Sequence, residues 1–212
     1  MTYLSGTFKV PKDRSELHPY LLNLVVVTAS VCTAVTLFID GVVQYKPGDV
    51  LTAECHLFPV NVHLPLAGPI RYAITGDTPD EIHIEFSPKP TQQIATRREI
   101  LGARGVMLNL ITPIFVDFYE HSVLWVCHKF GDNSLDWPAI WNFGRVIRNS
   151  ISHGGTIHIT KSTLPPVTWH HLSYSPTDHG KEIIGVDFQY ADVLVLMFEM
   201  SDELDRLGYP AI

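Results

Sequence analysis

The chain has 212 residues, 46% of them hydrophobic and 17% charged, and its formal net charge is -7. That composition excludes a disordered chain, and the length allows one large domain or two small ones with a sizeable core. The acidic balance excludes a protein that binds nucleic acid over its whole surface, so any such contact needs a local basic patch.

Cys32, Cys55 and Cys127 are odd in number and far apart. They form neither a disulfide framework nor a CxxC pair, which predicts reduced, unligated thiols and a cytoplasmic setting. Cys55-His56 with His63, and Cys127-His128, do not match the paired spacing of a zinc site, so no metal and no cofactor is expected.

Residues 1–14 read as an irregular arm with a short strand at Thr7–Val10. A helix is predicted from near Ser15 to just before Gly41, capped by Ser15 or Asp13, with Pro19 in its first turn. Its stretch Leu21–Ile39 is apolar on all sides, which suits either a core or a membrane. It follows Lys9, Lys12 and Arg14 and is nearly long enough to span a bilayer. Asn23, Thr28, Ser30, Thr33 and Thr36 interrupt it, and no small-residue cleavage site follows, so a buried helix with no membrane contact is expected.

Between residues 42 and 90, Val42–Tyr45, Leu51–Phe58, Val60–Leu64 and Ile70–Thr75 are short apolar or alternating runs separated by turn formers. Glu81-Ile82-His83-Ile84-Glu85-Phe86 alternates strictly, as a half-buried strand does. This region reads as antiparallel strands or extended loop.

Thr91–Phe130 is helical in pattern, and Pro113 is expected to kink or break it. Gly131-Asp132-Asn133 ends it. A second helix is predicted over Asp136–His153, with Asp136 as N-cap, Pro138 in the first turn and Gly154-Gly155 as the stop. Thr156–Thr160 alternates. Val167–Tyr174 is expected to pair with Lys181–Ile184 as a hairpin through the turn formers Ser175–Gly180. A last helix, Asp187–Leu207, carries one apolar stripe of Val193, Met197, Met200, Leu204 and Leu207, and ends at Gly208.

At about 100° per residue, the helix Asp136–His153 gathers Ile140, Phe143, Ile147 and Ile151 on one side. Asn142, Arg145, Arg148, Asn149, Ser152 and His153 fall on the other. Asn149 and His153 are neighbours at four residues, as are Arg148 and Ser152. Arg148 and His153 lie on opposite flanks of the polar half, so converging on one ligand needs a concave surface from another helix or a second subunit. A guanidinium holds a phosphate bidentately, and an imidazole moves protons near neutrality. Together they suit attack of a ribose 2′-OH on the adjacent phosphate without a metal. The same pattern is what any amphipathic helix shows, and a histidine in a last turn also favours the helix dipole.

Arg148-Asn149, three residues, then His153 at a helix end before Gly154 resembles the signature of HEPN domains (higher eukaryotes and prokaryotes nucleotide-binding). There an Arg is followed by four to six residues and a His, often with a polar residue directly after the Arg. The likeness covers residues 95–208, through FGRVIRNSISHGG, a β-hairpin and the final helix ADVLVLMFEMSDELDRLG. Residues 1–90 resemble no family.

The resemblance implies a mainly α, HEPN-like helical bundle with β-hairpin additions at 156–185, an α+β fold being the alternative. Residues 1–90 are expected to pack on the same core as 91–212. It implies a homodimer with the two Arg…His helices near the interface, a view the aromatic group Trp125, Trp137, Trp141 and Phe143 also suits, as core or as interface. Many members are metal-independent ribonucleases of bacterial defence or toxin–antitoxin pairs, so RNA and an antitoxin or other protein are the implied partners. Arg148 would hold the scissile phosphate, His153 would be the general acid or base, Asn149 would position the imidazole or substrate, and Arg145 and Ser152 would add binding contacts. Some members are inactive binding or assembly modules. A third reading is a small-ligand-binding α+β protein that uses residues 42–90.

Overall fold

A computed structural model describes residues 6–12, 17–40, 48–66, 77–89 and 101–209. The chain divides into two units, residues 1–110 with 211–212, and residues 111–210. The boundary falls inside one long helix rather than in a linker.

The first unit is built on four strands: β1 (Gly6–Pro11), β2 (Val50–Glu54), β3 (Val60–Pro65) and β4 (Glu81–Pro88). They form one antiparallel sheet in the order β1-β4-β3-β2. Alternation sets the faces. Ile82, Ile84 and Phe86 of β4 and Val60, Val62 and Leu64 of β3 are buried, while Glu81, His83 and Glu85 are exposed. Helix α1 (Leu17–Asp40) packs on β1 and β4 and buries Leu17, Leu21, Leu24 and Val25. Each such side chain, fully buried, contributes about 1.5–3 kcal/mol. Thr33 donates to the carbonyl of Ala29 at 2.7 Å, which is how a hydroxyl is tolerated in an apolar helix. His18 is buried, 3.2 Å from the Pro79 carbonyl oxygen, and burial lowers its proton affinity.

The second unit holds the C-terminal part of α2 (Leu101–Phe130), then α3 (Ala139–Ser152), a two-stranded ladder of β5 (Val167–Trp169) and β6 (Leu172–Tyr174), and α4 (Tyr190–Leu207). Helix α4 is the centre of this unit. Tyr190 to Phe198 and Met200 are all buried. Asp192 accepts from the backbone N–H of Gln189 at 2.9 Å and so caps its first turn. Gly208, at φ 79, ends it. Gly144 lets α3 approach α4, since a Cβ there would meet the Met200 side chain at 2.7 Å. Phe143 stacks among Trp169, Tyr174 and Phe188, and Trp141 packs on Phe118 and Tyr119.

These elements correct the expected mainly α, HEPN-like bundle. With about 49% helix, 21% strand, a four-stranded antiparallel sheet and a two-stranded one, the fold is α+β. The strands at 50–88 form the sheet that α1 covers, so they are a layer of the core and not an addition to a bundle. The short strand expected at Thr7–Val10 is β1, an edge of that sheet. Val42–Tyr45, Ile70–Thr75, the caps Asp13 and Ser15, and residues 91–100 lie outside the described residues.

Smaller corrections follow from local chemistry. Helix α2 runs through Pro113 without a break. Pro113 and Asn109 are exposed, so water can serve the carbonyl that proline leaves unpaired. Asp136 does not cap α3. It ends a 3-10 turn, Ser134–Asp136, capped by Asn133, and Pro138 stands at the start of α3. Val167–Tyr174 does not pair with Lys181–Ile184. It folds on itself at His170-His171, while Ser175–Asp178 closes a 3-10 turn in which Asp178 accepts from the Ser175 N–H at 2.8 Å. The 181–184 stretch pairs instead with residues 155–157, through the Thr156–Glu182 bridge and backbone bonds to Gly155 and Ile157, and Ile184 also bridges Phe188. The apolar surface of α4 is wider than a stripe, because neighbours surround its first three turns.

Among the described residues, one helical stretch, Met107–Phe130, is long and apolar enough to cross a membrane by length and composition. It buries Ile111, Phe115, Phe118, Tyr119 and Val126 while exposing Asp117, Glu120 and His121, the division of a helix at the edge of a core.

Candidate functional site at the end of helix α3

The polar half of α3 falls where its periodicity puts it. Trp141, Phe143, Val146 and Ile147 are buried, Asn142, Arg145, Arg148 and Asn149 are half-buried, and Ser152 and His153 are exposed. Ile140 and Ile151, expected on the buried side, are only half-buried, while Trp141 is as fully buried as Phe143 and Ile147.

Arg148 is engaged within the unit. Its Nε donates to Glu120 of α2 in an ion pair, and its Nη1 donates to the Asn149 side-chain oxygen at 3.4 Å. Arg145 donates twice to Asn142, at 3.1 and 3.0 Å. Burial lowers the proton affinity of the Arg145 guanidinium, against the opposing effect of Tyr119. Burial likewise pushes the Tyr119 phenol up, against the pull of Arg145.

His153 has left the helix. It is the C-cap, at φ -108 and ψ 36, with its N–H shared between the Asn149 and Ser150 carbonyls. Gly154 and Gly155, at φ 69 and 89, then reverse the chain. Gly155 accepts from the N–H groups of Ile183 and Ile184, and Ile157 exchanges hydrogen bonds with Lys181 and Gly180 at 2.8 Å each. This pairing carries His158 back beside the helix end and sets His179 next to it. The His153 and His158 rings stack at 3.7 Å with 15° between planes, and the His158 and His179 rings lie 5.3 Å apart. Desolvation, then the neighbouring His153 and His179, lowers the proton affinity of His158.

The structure therefore joins Arg148 with Asn149 and Glu120, and His153 with His158 and His179. Among the described residues the backbone bond from the His153 N–H to the Asn149 carbonyl joins the two groups, and no side-chain hydrogen bond or ion pair does. Ser152 is exposed beside them. Spacing alone did not reveal Glu120, His158 or His179. The signal for His158 was the Gly154-Gly155 reversal, which returns residue 158 to the level of residue 153. Trp141 and Phe143 are fully buried in the chain's own core, and Trp137 and Trp125 are half-buried, the first donating to the Gly131 carbonyl at 2.8 Å and the second edge-on to Tyr209.

Cys55 is buried and Cys32 and Cys127 half-buried, all three as free thiols. Among the described residues no group of three or more His, Cys, Asp and Glu side chains is arranged to hold a metal ion. No protein-family model, no curated protein and no solved structure matches this chain.

Proposed function

We propose that the end of α3 is a phosphodiester site of HEPN type and that the protein is a metal-independent endoribonuclease of a bacterial defence or toxin–antitoxin system. The observation that carries this reading is the stacked His153–His158 pair on the chain reversal that follows the helix bearing Arg148 and Asn149. Cleavage by a ribose 2′-OH needs one group to accept the hydroxyl proton and one to donate a proton to the leaving 5′ oxygen. Two neighbouring imidazoles supply both, and the ribose oxygen forms the new bond to phosphorus as the 5′ oxygen leaves. Arg148 offers bidentate phosphate binding once the phosphate replaces Glu120, and Asn149 steadies it. Arg145 and Ser152 lie along the same face for further contacts. A homodimer and a cytoplasmic setting belong to this reading. Leu124, 71% exposed and one turn beyond Glu120, is the apolar side chain that a second copy would cover.

The test is cleavage of mixed RNA in chelator. Products should carry 2′,3′-cyclic phosphate ends. His153→Ala should lower the rate about a hundred- to ten-thousand-fold, and Arg148→Ala should also abolish cleavage, each with the fold intact by circular dichroism. Cleavage by His153→Ala at the parental rate defeats the reading.

The Arg148–Glu120 ion pair favours a second reading, a non-catalytic interaction module in which Arg148 is a strut between α2 and α3. In that case no RNA is cut, and Arg148→Ala lowers the melting temperature.

A further inference from the structure

The sheet of the first unit has two unlike faces. One is apolar and covered by α1. The other carries the alternate residues of β2, β3 and β4, which are polar apart from the Val50–Pro65 pair at one end.

Three of them form a chain across three strands. His63, on β3, has Nε2 2.6 Å from the Ser87 hydroxyl oxygen of β4 and Nδ1 2.9 Å from the Thr52 hydroxyl oxygen of β2. The register explains the geometry. Thr52 stands directly opposite His63, and Ser87 is its diagonal neighbour, opposite Asn61. A proton on Nδ1 donated to Thr52 leaves Nε2 as the acceptor facing the Ser87 hydroxyl. Nucleophile, base and orienting group thus stand in hydrogen-bond order. A further observation is independent of that chain. The Asn61 side-chain oxygen is buried and has no hydrogen-bond partner among the described residues, on the same face and opposite Ser87. A buried acceptor left without a donor is costly and needs an explanation, and a donor on a bound molecule supplies one. Glu85 stands opposite His63 and Glu54 opposite Asn61, so carboxylates border the face.

We propose that Ser87, His63 and Thr52 form an acyl-transfer site that hydrolyses uncharged carboxylic esters. The Ser87 oxygen attacks the ester carbonyl, and His63 Nε2 takes the hydroxyl proton. The carbonyl–alkoxide bond breaks, and that proton leaves with the alcohol. Water then attacks the acyl-serine, His63 removes its proton, and the free acid departs as the proton returns to Ser87. Thr52 is a positioning residue, which fixes the tautomer and the ring plane. Asn61 receives an N–H or O–H of the acyl group. The bordering carboxylates disfavour anionic esters. This site shares no residue with the α3 site, so its test is blind to the fate of the ribonuclease reading.

The experiment uses the full chain with two probes, a fluorophosphonate for covalent labelling and the p-nitrophenyl esters of acetate and N-acetylglycine for turnover. Peptide mapping should find the phosphonate on Ser87, and Ser87→Ala should lose it. His63→Gln should slow ester turnover about a hundred- to ten-thousand-fold. Thr52→Val should shift the pH–rate profile, and Thr52→Ser should restore it, which a merely structural role would not do. The N-acetylglycine ester should be the faster substrate, and Asn61→Ala should abolish that preference. Should Ser87→Ala fail to fold, Ser87→Cys tests the same position by reaction with iodoacetamide, which His63→Gln should slow. No labelling of Ser87 above that of heat-denatured protein, or undiminished turnover in His63→Gln, overturns the proposal and leaves the chain as hydrogen bonding on a sheet face.

Discussion

The polar half of α3 and the polar face of the first unit's sheet are both wet sides of amphipathic elements, yet their side chains find partners by different routes. On the sheet, the ladder makes the neighbours. Thr52, His63 and Ser87 meet because β2, β3 and β4 are in register. On α3, the helix makes few of them. Arg145 bonds to Asn142 three residues back, whereas Arg148 reaches α2 for Glu120 and His153 meets His158 only after the chain reverses. A sheet face is therefore a two-dimensional array fixed by pairing. A helix face is a single row completed by whatever tertiary structure brings alongside.

Four perturbations would break or sharpen that contrast. Phe143→Ala should have the largest effect. It empties the centre of the Trp169, Tyr174 and Phe188 cluster and should cost about 3–5 kcal/mol, as seen in the denaturant midpoint of the second unit. Ile84→Ala, buried at 0% exposure under α1, should cost about 2–5 kcal/mol in the first unit. If the sheet array depends on its buried face, this variant also weakens the His63–Ser87 contact, visible as a changed imidazole resonance.

Gly155→Ala comes next. Its φ of 89 is in the left-handed region, and a Cβ there would meet Ile184 at 3.4 Å, so about 1–3 kcal/mol is expected. The readout specific to the comparison is the His153–His158 ring contact, which this reversal creates. An unchanged contact by nuclear Overhauser effects would show that the stack does not need the glycine.

Glu120→Gln should have the smallest effect. Both partners are partly exposed, so the Arg148 pair is worth no more than about 1 kcal/mol. In the phosphodiester reading this variant binds RNA more tightly, because Arg148 no longer has to exchange a carboxylate for a phosphate. In the strut reading it only lowers the melting temperature slightly.

The stacked rings also respond to pH. The His158 proton affinity lies below the ordinary imidazole value of about 6.5, so the folded state favours the neutral ring. Stability contributed by the neutral ring is complete above that value and declines as pH falls from it toward the lowered one. The ring contact should therefore loosen on acidification and be restored at pH 7.5, as a titration followed by the histidine ring proton resonances would report.

Much of the local structure was legible in the chain itself. Alternation at Glu81–Phe86 set which side of β4 is buried, because a strand turns its side chains every second residue. The spacing of Phe143 and Ile147 against Arg145 and Arg148 set the two sides of α3. The reversal at Gly154-Gly155 and the stop at Gly208 follow from glycine's tolerance of positive φ. What could not be read was pairing across long stretches of chain. Val167–Tyr174 carries the pattern of a strand, but that pattern does not name its partner, and the ladder closed locally at His170-His171 instead. Residues 50–88 read as antiparallel strands or extended loop, and only the pairing order, β1-β4-β3-β2, made them one covered sheet and the fold α+β. The same holds for function. Sequence placed Arg148, Asn149 and His153 on one polar side, because helical geometry depends on neighbours a few residues away. Only the tertiary structure brought Glu120 to Arg148, His158 to His153, and Ser87 and Thr52 to His63, since contacts between distant residues are decided by the burial of the opposite, apolar faces.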